Sequence, residues 1–302
     1  MRLVSYRGHD GTLRAGLIDG EAVVDLEAAG AQLGLTVGSD LGAILAREDE
    51  GMAALARIAA AAATAPERLP LAEVRLGPVL PRPPKILLLA GNYQSHIIEG
   101  GREPVEKAAI TPRFFIKPGT AVIGPGDPIL IPPVSEAVDY EIEIAAVIGK
   151  RGRDISVAEA DDHVFGYLVF NDISARRLNN VEHRQPRDGD AFFDWLVGKW
   201  CDSFAVVGPY LVSRDEIADV TALEMALRVN GELRQHSSAG EMLFSIPEAI
   251  AWIASFITLE PGDLICMGTP GGVGATTQTF LQPGDVVEAE IERLGKLVNE
   301  VR

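Results

Sequence analysis

Acidic and non-acidic residues alternate in Asp139-Tyr140-Glu141-Ile142-Glu143-Ile144, the stretch that decides both the fold and the chemistry of this chain. On a β-strand, alternate side chains share a face, so the pattern predicts three carboxylates on one side of a strand. Like charges this close repel unless a cation lies among them or some are protonated. A hard divalent cation bound through carboxylate oxygens is the simplest remedy.

A second stretch supplies a further acid. Asp172 ends the apolar run Val164-Phe165-Gly166-Tyr167-Leu168-Val169-Phe170-Asn171-Asp172, which predicts a buried strand with a carboxylate at its C-terminal end. The alternating glutamates have another interpretation, because such a pattern also marks the solvated face of an edge strand. Residues further along the chain decide between the two.

Composition and charge exclude several classes of protein. The chain has 302 residues, 47% of them hydrophobic, which is enough for one large domain or two unequal ones. A net charge of −16 repels nucleic acid and anionic membranes, so we expect neither as a partner. An anionic substrate would also be repelled at long range, and its site would need local cations.

The cysteines and the N-terminus predict a cytoplasmic protein. Cys201 and Cys266 are too few for a disulfide framework or a zinc site, and reduced thiols are the expectation. Residues 1–7 contain no apolar signal core, and no apolar run approaches the length of a membrane span.

The chain divides at Leu80-Pro81-Arg82-Pro83-Pro84, which can be neither helix nor central strand. Before it, residues 1–80 are predicted to form a small α+β domain, with strands at 3–6, 13–18 and 22–26 and helices from about 39 to 64. After it, residues 85–302 are mostly β. Three Pro-Gly-Asp turns precede predicted strands at 129–131, 264–267 and 286–291.

Two helices and one long loop complete this outline. Capping boxes at Ser156–Glu159 and Ser245–Glu248 predict that helices begin there. Residues 177–196 are polar and charged without a clear period, which predicts a functional or mobile loop.

His96 and Glu99 follow a predicted strand at 85–90 and are three residues apart. On a short helix this spacing puts them on one face, within hydrogen-bonding reach. A carboxylate that holds one imidazole nitrogen leaves the other free to take a proton from water. The alternative is an ordinary surface pair at a helix end. Gly100-Gly101 would allow the segment to move as a lid.

Three cations could serve an acidic centre. Lys199 lies between aromatic residues and Lys117 follows an apolar run, so each is either a buried cation or a surface lysine with a buried stem. Arg176 could pair with a substrate carboxylate or with one of the chain's many acids.

A Gly-rich turn follows the predicted strand at 264–267. Gly268-Thr269-Pro270-Gly271-Gly272-Val273-Gly274 contains no Gly-Lys-Ser/Thr, which excludes a P-loop, and no convincing helix follows. Its glycines favour a turn whose backbone approaches a ligand closely.

These motifs together resemble the fumarylacetoacetate hydrolase family from about residue 85 to the end of the chain. The resemblance lies in these ordered motifs: Gly91-Asn92-Tyr93-x-x-His96-x-x-Glu99, Phe115-x-Lys117-Pro118, Asp139-Tyr140-Glu141-x-Glu143, Asn171-Asp172-x-Ser174-Ala175-Arg176, Gly198-Lys199, Val229-Asn230-Gly231-Glu232, Phe244-Ser245-Ile246-Pro247 and Gly268-Thr269-Pro270-x-Gly272-Val273-Gly274. Residues 1–80 resemble the small leading domain that many members carry.

The resemblance implies an α+β fold that is mainly β, with a twisted mixed β-roll as the catalytic domain, usually in a homodimer. It implies Mg²⁺ or Mn²⁺, with Ca²⁺ possible in crystals. The implied residues fall into three groups: metal ligands Glu141, Glu143 and Asp172; catalytic residues His96, Glu99 and Lys199; and substrate-binding residues Arg176, Lys117, Thr269 and Gly268.

Two departures from the family concern the substrate rather than the metal. Many members have Asp and Gln where this chain has Arg177 and Asn179, and the segment 177–195 is unusually charged. Its arginines could attract a second substrate carboxylate, or they could pair with the segment's own acids or with a dimer partner.

The expected activity is hydrolysis of a C–C bond in an acylpyruvate-like 2-oxo or 1,3-dicarbonyl acid, through a metal-stabilised enolate, as in the catabolism of aromatic compounds. The small anionic 2-oxoacid substrate would chelate the metal, and His96 would deprotonate the attacking water. The same enolate arises in decarboxylation of a β-keto acid such as oxaloacetate, and in hydration or isomerisation of a 2-oxo-enoate. A different class is a non-catalytic β module that binds Ca²⁺, but such a module has no use for a His–Glu pair.

Overall fold

The computed structural model describes all 302 residues, which form eighteen β-strands and seven α-helices. The strands are β1 Arg2–Arg7, β2 Leu13–Asp19, β3 Ala22–Asp25, β4 Arg68–Pro70, β5 Leu76–Gly77, β6 Ile86–Leu89, β7 Phe114–Lys117, β8 Val122–Ile123, β9 Val138–Asp139, β10 Ile142–Ile148, β11 Val164–Asp172, β12 Ser174–Ala175, β13 Ala205–Ser213, β14 Glu224–Val229, β15 Glu232–Ser238, β16 Leu264–Cys266, β17 Val286–Ile291 and β18 Gly295–Glu300. The helices are α1 Leu26–Gln32, α2 Leu41–Leu45, α3 Glu48–Ala61, α4 Gln94–Glu99, α5 Asp190–Val197, α6 Ile246–Ala254 and α7 Gly274–Thr277.

A twelve-stranded sheet organises the molecule. Its strands run in the order β4-β3-β2-β1-β13-β11-β10-β16-β6-β7, with β5 beside β1 and β8 beside β13. Most neighbours are antiparallel, but β16 pairs with β6, and β13 with β8, in parallel. A four-stranded sheet, β15-β14-β17-β18, and the short pair β12-β9 complete the β structure. The predicted α+β fold is confirmed, and the large sheet is mixed.

The N-terminal strands extend this same sheet. β1 pairs antiparallel with β13, and Leu3 lies opposite Leu211. Leu41, Ile44 and Leu55 of the N-terminal helices pack in one hydrophobic cluster with residues of β10 and β11. The division into domains at 1–80 and 85–302 stays a prediction, because the sheet and this core run across it.

Both faces of the central sheet are covered. On β10, Ile142 and Ile144 point into a core shared with β14, β17 and α6. Ala145 and Val147 point to the other side, into the core that contains the N-terminal helices. Glu143 lies on the same face of β10 as Ala145 and Val147, and Glu141, which directly precedes the strand, has the same parity. The strand is buried along its whole length, which excludes the solvated edge strand as the interpretation of its glutamates.

Several local predictions were wrong. Residues 190–197 form α5, because an apolar run after Asp188-Gly189-Asp190 packs in part on the core, so only the first part of the expected loop is irregular. Residues 129–131 form no strand, and only Ile129 bridges to Val301. The capping box at Ser156 is followed by a 3₁₀ turn at Ala160–His163 instead of an α-helix. The helix α1, capped by Asp25, was not predicted.

Other local predictions are confirmed. Ser245 and Glu248 form the reciprocal capping box at the start of α6, and α4 carries His96 and Glu99 as expected. No helix in the protein combines the length and the apolar character that crossing a membrane requires.

Candidate active site

The pairing of β10 with β11 brings the three predicted metal ligands together. The two strands are antiparallel, so the start of β10 lies beside the end of β11, and the Asp172 N–H donates to the Glu141 carbonyl at 2.8 Å. Carboxylate oxygens of Glu141, Glu143 and Asp172 all lie within 4.8 Å of one another. All three residues are buried, so the predicted cluster is confirmed as a geometric unit.

Two buried lysines lie against this cluster. The Lys199 ammonium donates to Glu141 Oε2 at 2.8 Å and to Asp172 Oδ2 at 2.7 Å. The Lys117 ammonium donates to Asp172 Oδ1 and, at 2.9 Å, to the Ile173 carbonyl. Both side chains are almost completely buried. Of the two predicted alternatives for each lysine, the structure shows the buried cation beside an acidic centre.

The lysines differ in how their surroundings affect ionisation. Burial lowers the pKa of Lys117, although Asp172 opposes the shift. Burial also opposes the charge on Lys199, but Asp172 and Glu141 outweigh it and raise the pKa of that ammonium. The Lys199 nitrogen also lies 5.5 Å from the Phe115 ring centroid and 5.9 Å from that of Trp195. Lys199 is therefore held as a cation at the edge of the cluster.

Arg176 pairs with acids of the chain itself. Its Nε donates to Asp139 Oδ2 at 2.8 Å, and its Nη2 donates to Glu141 Oε1. Asp139 also accepts the N–H groups of Gly274 at 2.7 Å and Ala275 at 2.9 Å. Of the two predicted alternatives for Arg176, the structure shows pairing with protein carboxylates. Its contact with a substrate stays a prediction.

Glu143 is the one carboxylate of the cluster without an ion pair. Its only hydrogen-bond donor is the Gly268 N–H at 2.9 Å, since the nearby cations go to Glu141 and Asp172. Burial, with the charges of Asp172 and Glu141, raises the pKa of Glu143 well above its usual value. Burial also opposes ionisation of Glu141, but Lys199 and Arg176 outweigh it and lower that pKa.

The donor set fits a divalent metal ion. It consists of three carboxylates, the ligands that Mg²⁺, Mn²⁺ and Ca²⁺ prefer. Glu143 lacks a cation, and each carboxylate oxygen bonded to a lysine keeps a further lone pair. Glu141, Glu143 and Asp172 would therefore hold the ion, and its charge would supply what Glu143 lacks.

His96 and Glu99 form the predicted pair on α4. His96 Nδ1 lies 2.7 Å from Glu99 Oε1. The other Glu99 oxygen accepts the Gly272 N–H at 2.6 Å and the Thr276 hydroxyl at 3.1 Å. Burial opposes ionisation of Glu99, but the bonds from His96 and Gly272 outweigh it and lower the pKa. An ionised Glu99 holds the proton on Nδ1 and leaves Nε2 with a free lone pair. The predicted geometry is confirmed, and the catalytic role stays a prediction.

The Gly-rich turn contacts both halves of the site. Gly268 has φ +80°, and its N–H meets Glu143. At Gly272, with φ +104°, a Cβ would lie 2.1 Å from the Arg234 carbonyl, so only glycine fits. Thr269 is buried and accepts a hydrogen bond from Gln235 at 2.8 Å. The backbone of the turn lies close to protein groups. Its predicted approach to a ligand, and the substrate contacts of Gly268 and Thr269, stay predictions.

Two cavities share Arg176 as a lining residue. The first, of about 260 Å³, is lined by Ser174, Ala175, Arg176, Ala191, Asp194, Trp195 and Lys199. The second, of about 320 Å³, is lined by His96, Glu99, Gly100, Arg176, Val273, Ala275 and Thr276. Arg176 is thus common to a cavity beside the His96–Glu99 pair and to a cavity beside Lys199, which bonds to the carboxylate cluster.

The charged segment 177–195 pairs largely with itself. Arg184 Nη1 donates to Asp194 Oδ1 at 2.8 Å, and Arg187 lies 3.1 Å from Asp190. Arg177 lies over the Phe280 ring, 5.2 Å from its centroid. The structure therefore shows the self-paired alternative for Arg184 and Arg187, while selection of a dianionic substrate stays a prediction.

Sequence reasoning missed two amides that support the cluster. Asn171 Oδ1 accepts the Glu141 N–H at 3.0 Å, and Gln235 joins β10 to the Gly-rich turn. Gln235 lies in a strand of mostly polar residues, Glu232–Ser238, that reads as fully solvated. The only signal was the Asn230-Gly231 turn before it, which makes alternate residues of a hairpin strand face inward.

Residues 85–302 match the family described as fumarylacetoacetate (FAA) hydrolase C-terminal. The mitochondrial oxaloacetate tautomerase FAHD2B of Bos taurus is 40% identical over 306 residues, which cover 100% of this chain and 91% of that protein. Maleylpyruvate hydrolase from Sphingobium sp. SYK-6, crystallised with manganese(II) ion and pyruvate, is 30% identical, with a TM-score of 0.77 and coverage of 100% of this chain and 98% of that one. A probable 2-hydroxyhepta-2,4-diene-1,7-dioate isomerase from Mycobacterium abscessus is 32% identical, with a TM-score of 0.76 and coverage of 100% and 98%.

The chain therefore belongs to the fumarylacetoacetate hydrolase family, a family of enzymes, and the predicted resemblance is confirmed. The named relatives differ in the reaction they carry out, which includes tautomerisation, hydrolysis and isomerisation.

Proposed function

We propose that this protein is a divalent-metal-dependent enzyme that interconverts the keto and enol forms of a small 2-oxo dicarboxylic acid, with oxaloacetate as the first candidate. One observation supports it above all: the His96–Glu99 pair opens onto a cavity whose Arg176 wall bonds to Glu141 of the buried carboxylate cluster. This arrangement supports a proton acceptor near a site for a chelating oxyacid. The relative that is 40% identical over the whole chain is named for oxaloacetate tautomerisation.

The three carboxylates would hold Mg²⁺ or Mn²⁺. The bound ion would supply Lewis-acid polarisation of the carbonyl and carboxylate oxygens of the substrate. Glu143 and Asp172 come from two paired strands of the central sheet, and Glu141 directly precedes the first of them and accepts the Asp172 N–H. This backbone pairing would hold the carboxylates in place before a ligand binds.

The residues of the chain would move one proton between two atoms. Glu99 fixes the Nδ1–H tautomer, so His96 Nε2 can take the proton from the carbon between the two carbonyl groups. The electron pair of that C–H bond moves toward the 2-oxo oxygen, and the Lys199 ammonium offsets the negative charge. His96 then returns the proton to oxygen, and the reverse sequence converts enol to keto. No water or co-reactant is consumed.

A second candidate is the hydrolysis of an acylpyruvate, favoured by the full-length similarity to maleylpyruvate hydrolase. His96 would take a proton from water as its oxygen bonds to the acyl carbon. The C–C bond then breaks, its electron pair forms the enolate of pyruvate, and His96 returns the proton to that enolate. Both candidates use the same base, so the substrate decides between them.

Parallel assays on the metal-free, Mg²⁺ and Mn²⁺ proteins test the proposal. They follow ketonisation of enol-oxaloacetate by its absorbance, pyruvate release by a coupled dehydrogenase, and loss of acylpyruvates and 2-oxo-enoates by absorbance. We expect ketonisation of enol-oxaloacetate to be faster than pyruvate release and than the loss of acylpyruvates and 2-oxo-enoates. It should require metal and should be lost in His96→Ala. Ketonisation no faster than in buffer, with rapid acylpyruvate cleavage, would replace the first candidate with the second. Full activity in excess chelator would exclude both.

The homodimer is likewise a proposal taken from the family. Sedimentation velocity at micromolar concentration is expected to show a single species of twice the 32.2 kDa chain mass. A single species of the chain mass would contradict it.

A further inference from the structure

The buried amide of Gln235 connects three backbone segments of the site. Gln235 is 1% exposed, although it belongs to β15 of the smaller sheet. Its Oε1 accepts the Ile142 N–H at 3.0 Å. Its Nε2 donates to Thr269 Oγ1 at 2.8 Å and to the Pro270 carbonyl at 2.9 Å. Both donors and one acceptor are thus in use in the interior.

These bonds join the backbone beside the carboxylate cluster to the Gly-rich turn. Ile142 lies between Glu141 and Glu143, so its N–H marks the backbone of the carboxylate cluster. Thr269 and Pro270 lie in the Gly-rich turn, between the Gly268 N–H that meets Glu143 and the Gly272 N–H that meets Glu99. A single side chain therefore bridges the strand of the carboxylates and the turn that holds the proton-transfer pair.

The N–H groups of Gly268, Gly272 and Gly274 also hold the turn, through bonds to Glu143, Glu99 and Asp139. Gln235 adds the bonds to Thr269 and Pro270, which lie between these anchor points. Gly268 and Gly272 both have positive φ, and glycine permits many alternative backbone conformations. Ser95 of α4 accepts the Gly271 N–H at 3.1 Å, so a shift of the turn would carry α4 with it. Displacement of a reacting group by about 1 Å can cost about 100-fold in rate.

We propose that Gln235 is a positioning residue that sets the distance between the His96–Glu99 pair and the carboxylate cluster. It acts through the backbone of the Gly-rich turn and touches no reacting atom. The kinetic part of this inference rests on the proposed function, whereas its structural part can be measured without any substrate.

Gln235→Met tests the proposal, because methionine is similar in length and makes none of the three bonds. Asn299→Leu is the matched control. Asn299 is also a buried amide, and its Nδ2 donates to the carbonyls of Gly124 and Asp127, both at 2.9 Å, with no contact to the site. Each variant therefore removes a buried amide whose nitrogen donates two hydrogen bonds.

Three readouts separate positioning from general destabilisation. First, we expect hydrogen exchange of metal-free Gln235→Met to accelerate in residues 268–276 and that of Asn299→Leu to stay unchanged there. Second, Mn²⁺ added alone should broaden the His96 imidazole resonance less in Gln235→Met, since paramagnetic broadening falls steeply with distance. Third, kcat should fall by about 10- to 100-fold with KM and the Mn²⁺ dissociation constant within about threefold.

The outcomes are distinguishable from failure of the proposed function. If the wild-type protein enolises no 2-oxoacid, the proposed function fails, while hydrogen exchange and Mn²⁺ broadening still decide the role of Gln235. Unchanged exchange and unchanged His96 broadening in Gln235→Met would overturn the inference, as would equal kcat losses in the two variants. Should Gln235→Met fail to fold, Gln235→Glu keeps the acceptor for Ile142 and gives the same readouts.

Discussion

Two buried clusters of this protein combine carboxylates with basic side chains, and they differ in whether every carboxylate has a cation beside it. In the N-terminal region, Asp25 accepts the Tyr6 hydroxyl at 2.6 Å, Arg14 Nε at 2.7 Å and the Ala28 N–H at 2.8 Å. One acid meets one base, and both carboxylate oxygens have donors. In the site, Glu143 is buried beside two further carboxylates and has one backbone donor but no cation.

Whether each carboxylate has a partner distinguishes a structural cluster from a candidate functional one. The Asp25 cluster is complete, and it caps α1 and joins it to β1 and β2. The Glu143 cluster leaves an acceptor whose ionisation the protein itself does not favour. A buried carboxylate without a partner is costly, and a ligand with positive charge, as proposed for this site, would offset that cost. Five predictions test this distinction between the two clusters.

Removing Asp172 should have the largest effect. Asp172→Ala deletes a metal ligand and leaves Lys117 with only a carbonyl acceptor, so we expect activity below detection and a loss of about 3–5 kcal/mol in unfolding free energy. Asp25→Ala should lower the unfolding free energy by about 1–3 kcal/mol and leave the turnover number unchanged. Turnover and urea unfolding of both variants provide the measurement. Equal loss of activity in the two would remove the distinction between the clusters.

The proton-transfer pair should come next. His96→Ala and Glu99→Ala should each lower kcat by about 10²–10⁴-fold, because each removes the base or its orienting partner. Since the two residues act as a unit, the double variant should be little slower than either single one. Steady-state kinetics on the metal-loaded proteins checks this. Additive losses would mean that Glu99 acts independently of His96.

Glu143→Gln should separate metal binding from stability. In the wild type, Mn²⁺ at 100 times its dissociation constant should raise the unfolding free energy by about 2.7 kcal/mol. In Glu143→Gln this gain should vanish, while the metal-free protein unfolds no more easily than the wild type. Glutamine is neutral and keeps an oxygen for the Gly268 N–H, and burial with the neighbouring carboxylates already disfavours a charge at this position. Thermal unfolding with and without Mn²⁺ measures both. Destabilisation of the metal-free variant would show that Glu143 is a structural acid, as Asp25 is.

Arg184→Ala should have a modest effect on substrate affinity. The change leaves Asp194, which lines the cavity shared with Lys199, without its partner. Its charge should repel a dianionic substrate, so KM should rise by up to about fivefold, corresponding to about 1 kcal/mol, and by less for a monoanion. Arg187→Ala is the control, because Arg187 is exposed and pairs with Asp190, which lines neither cavity. An equal rise in KM for the dianionic and the monoanionic substrate in Arg184→Ala, or no rise, would exclude charge selection by this segment.

The acid dependence of stability should show the smallest effect. Burial opposes ionisation of Asp25, but Arg14 and Tyr6 outweigh it and lower the pKa. A carboxyl group with a lowered folded-state pKa stabilises the fold above its unfolded value of about 4, and this stabilisation is lost as the pH falls through the folded-state pKa. Asp25→Asn should therefore flatten the fall of unfolding free energy below about pH 4. An unchanged acid slope would show that Asp25 is not part of this dependence.

Much of the site followed from local pattern. The alternation of Asp139, Glu141 and Glu143 predicted one shared strand face, because side chains of a strand alternate by geometry. Glu143 lies on β10 and Glu141 directly before it, whereas Asp139 belongs to the separate strand β9 and pairs with Arg176. The three-residue spacing of His96 and Glu99 predicted their contact because a helix turn brings such residues together. Ser245 and Glu248 predicted the start of α6 for the same reason, since capping depends on neighbours in sequence.

Long-range pairing decided the rest. The sequence predicted the carboxylates but not their partners. The burial of Lys117 and Lys199, and the pairing of Arg176 with Asp139, depend on residues 27 to 58 positions away in sequence. The helix α5 and the buried position of Gln235 likewise depend on packing against distant segments. Sequence by itself determined which side chains share a face within one strand or helix turn, because that geometry is local. Only the tertiary structure decided which carboxylate was left without a cation, because charge balance in the interior is set by every element that meets there.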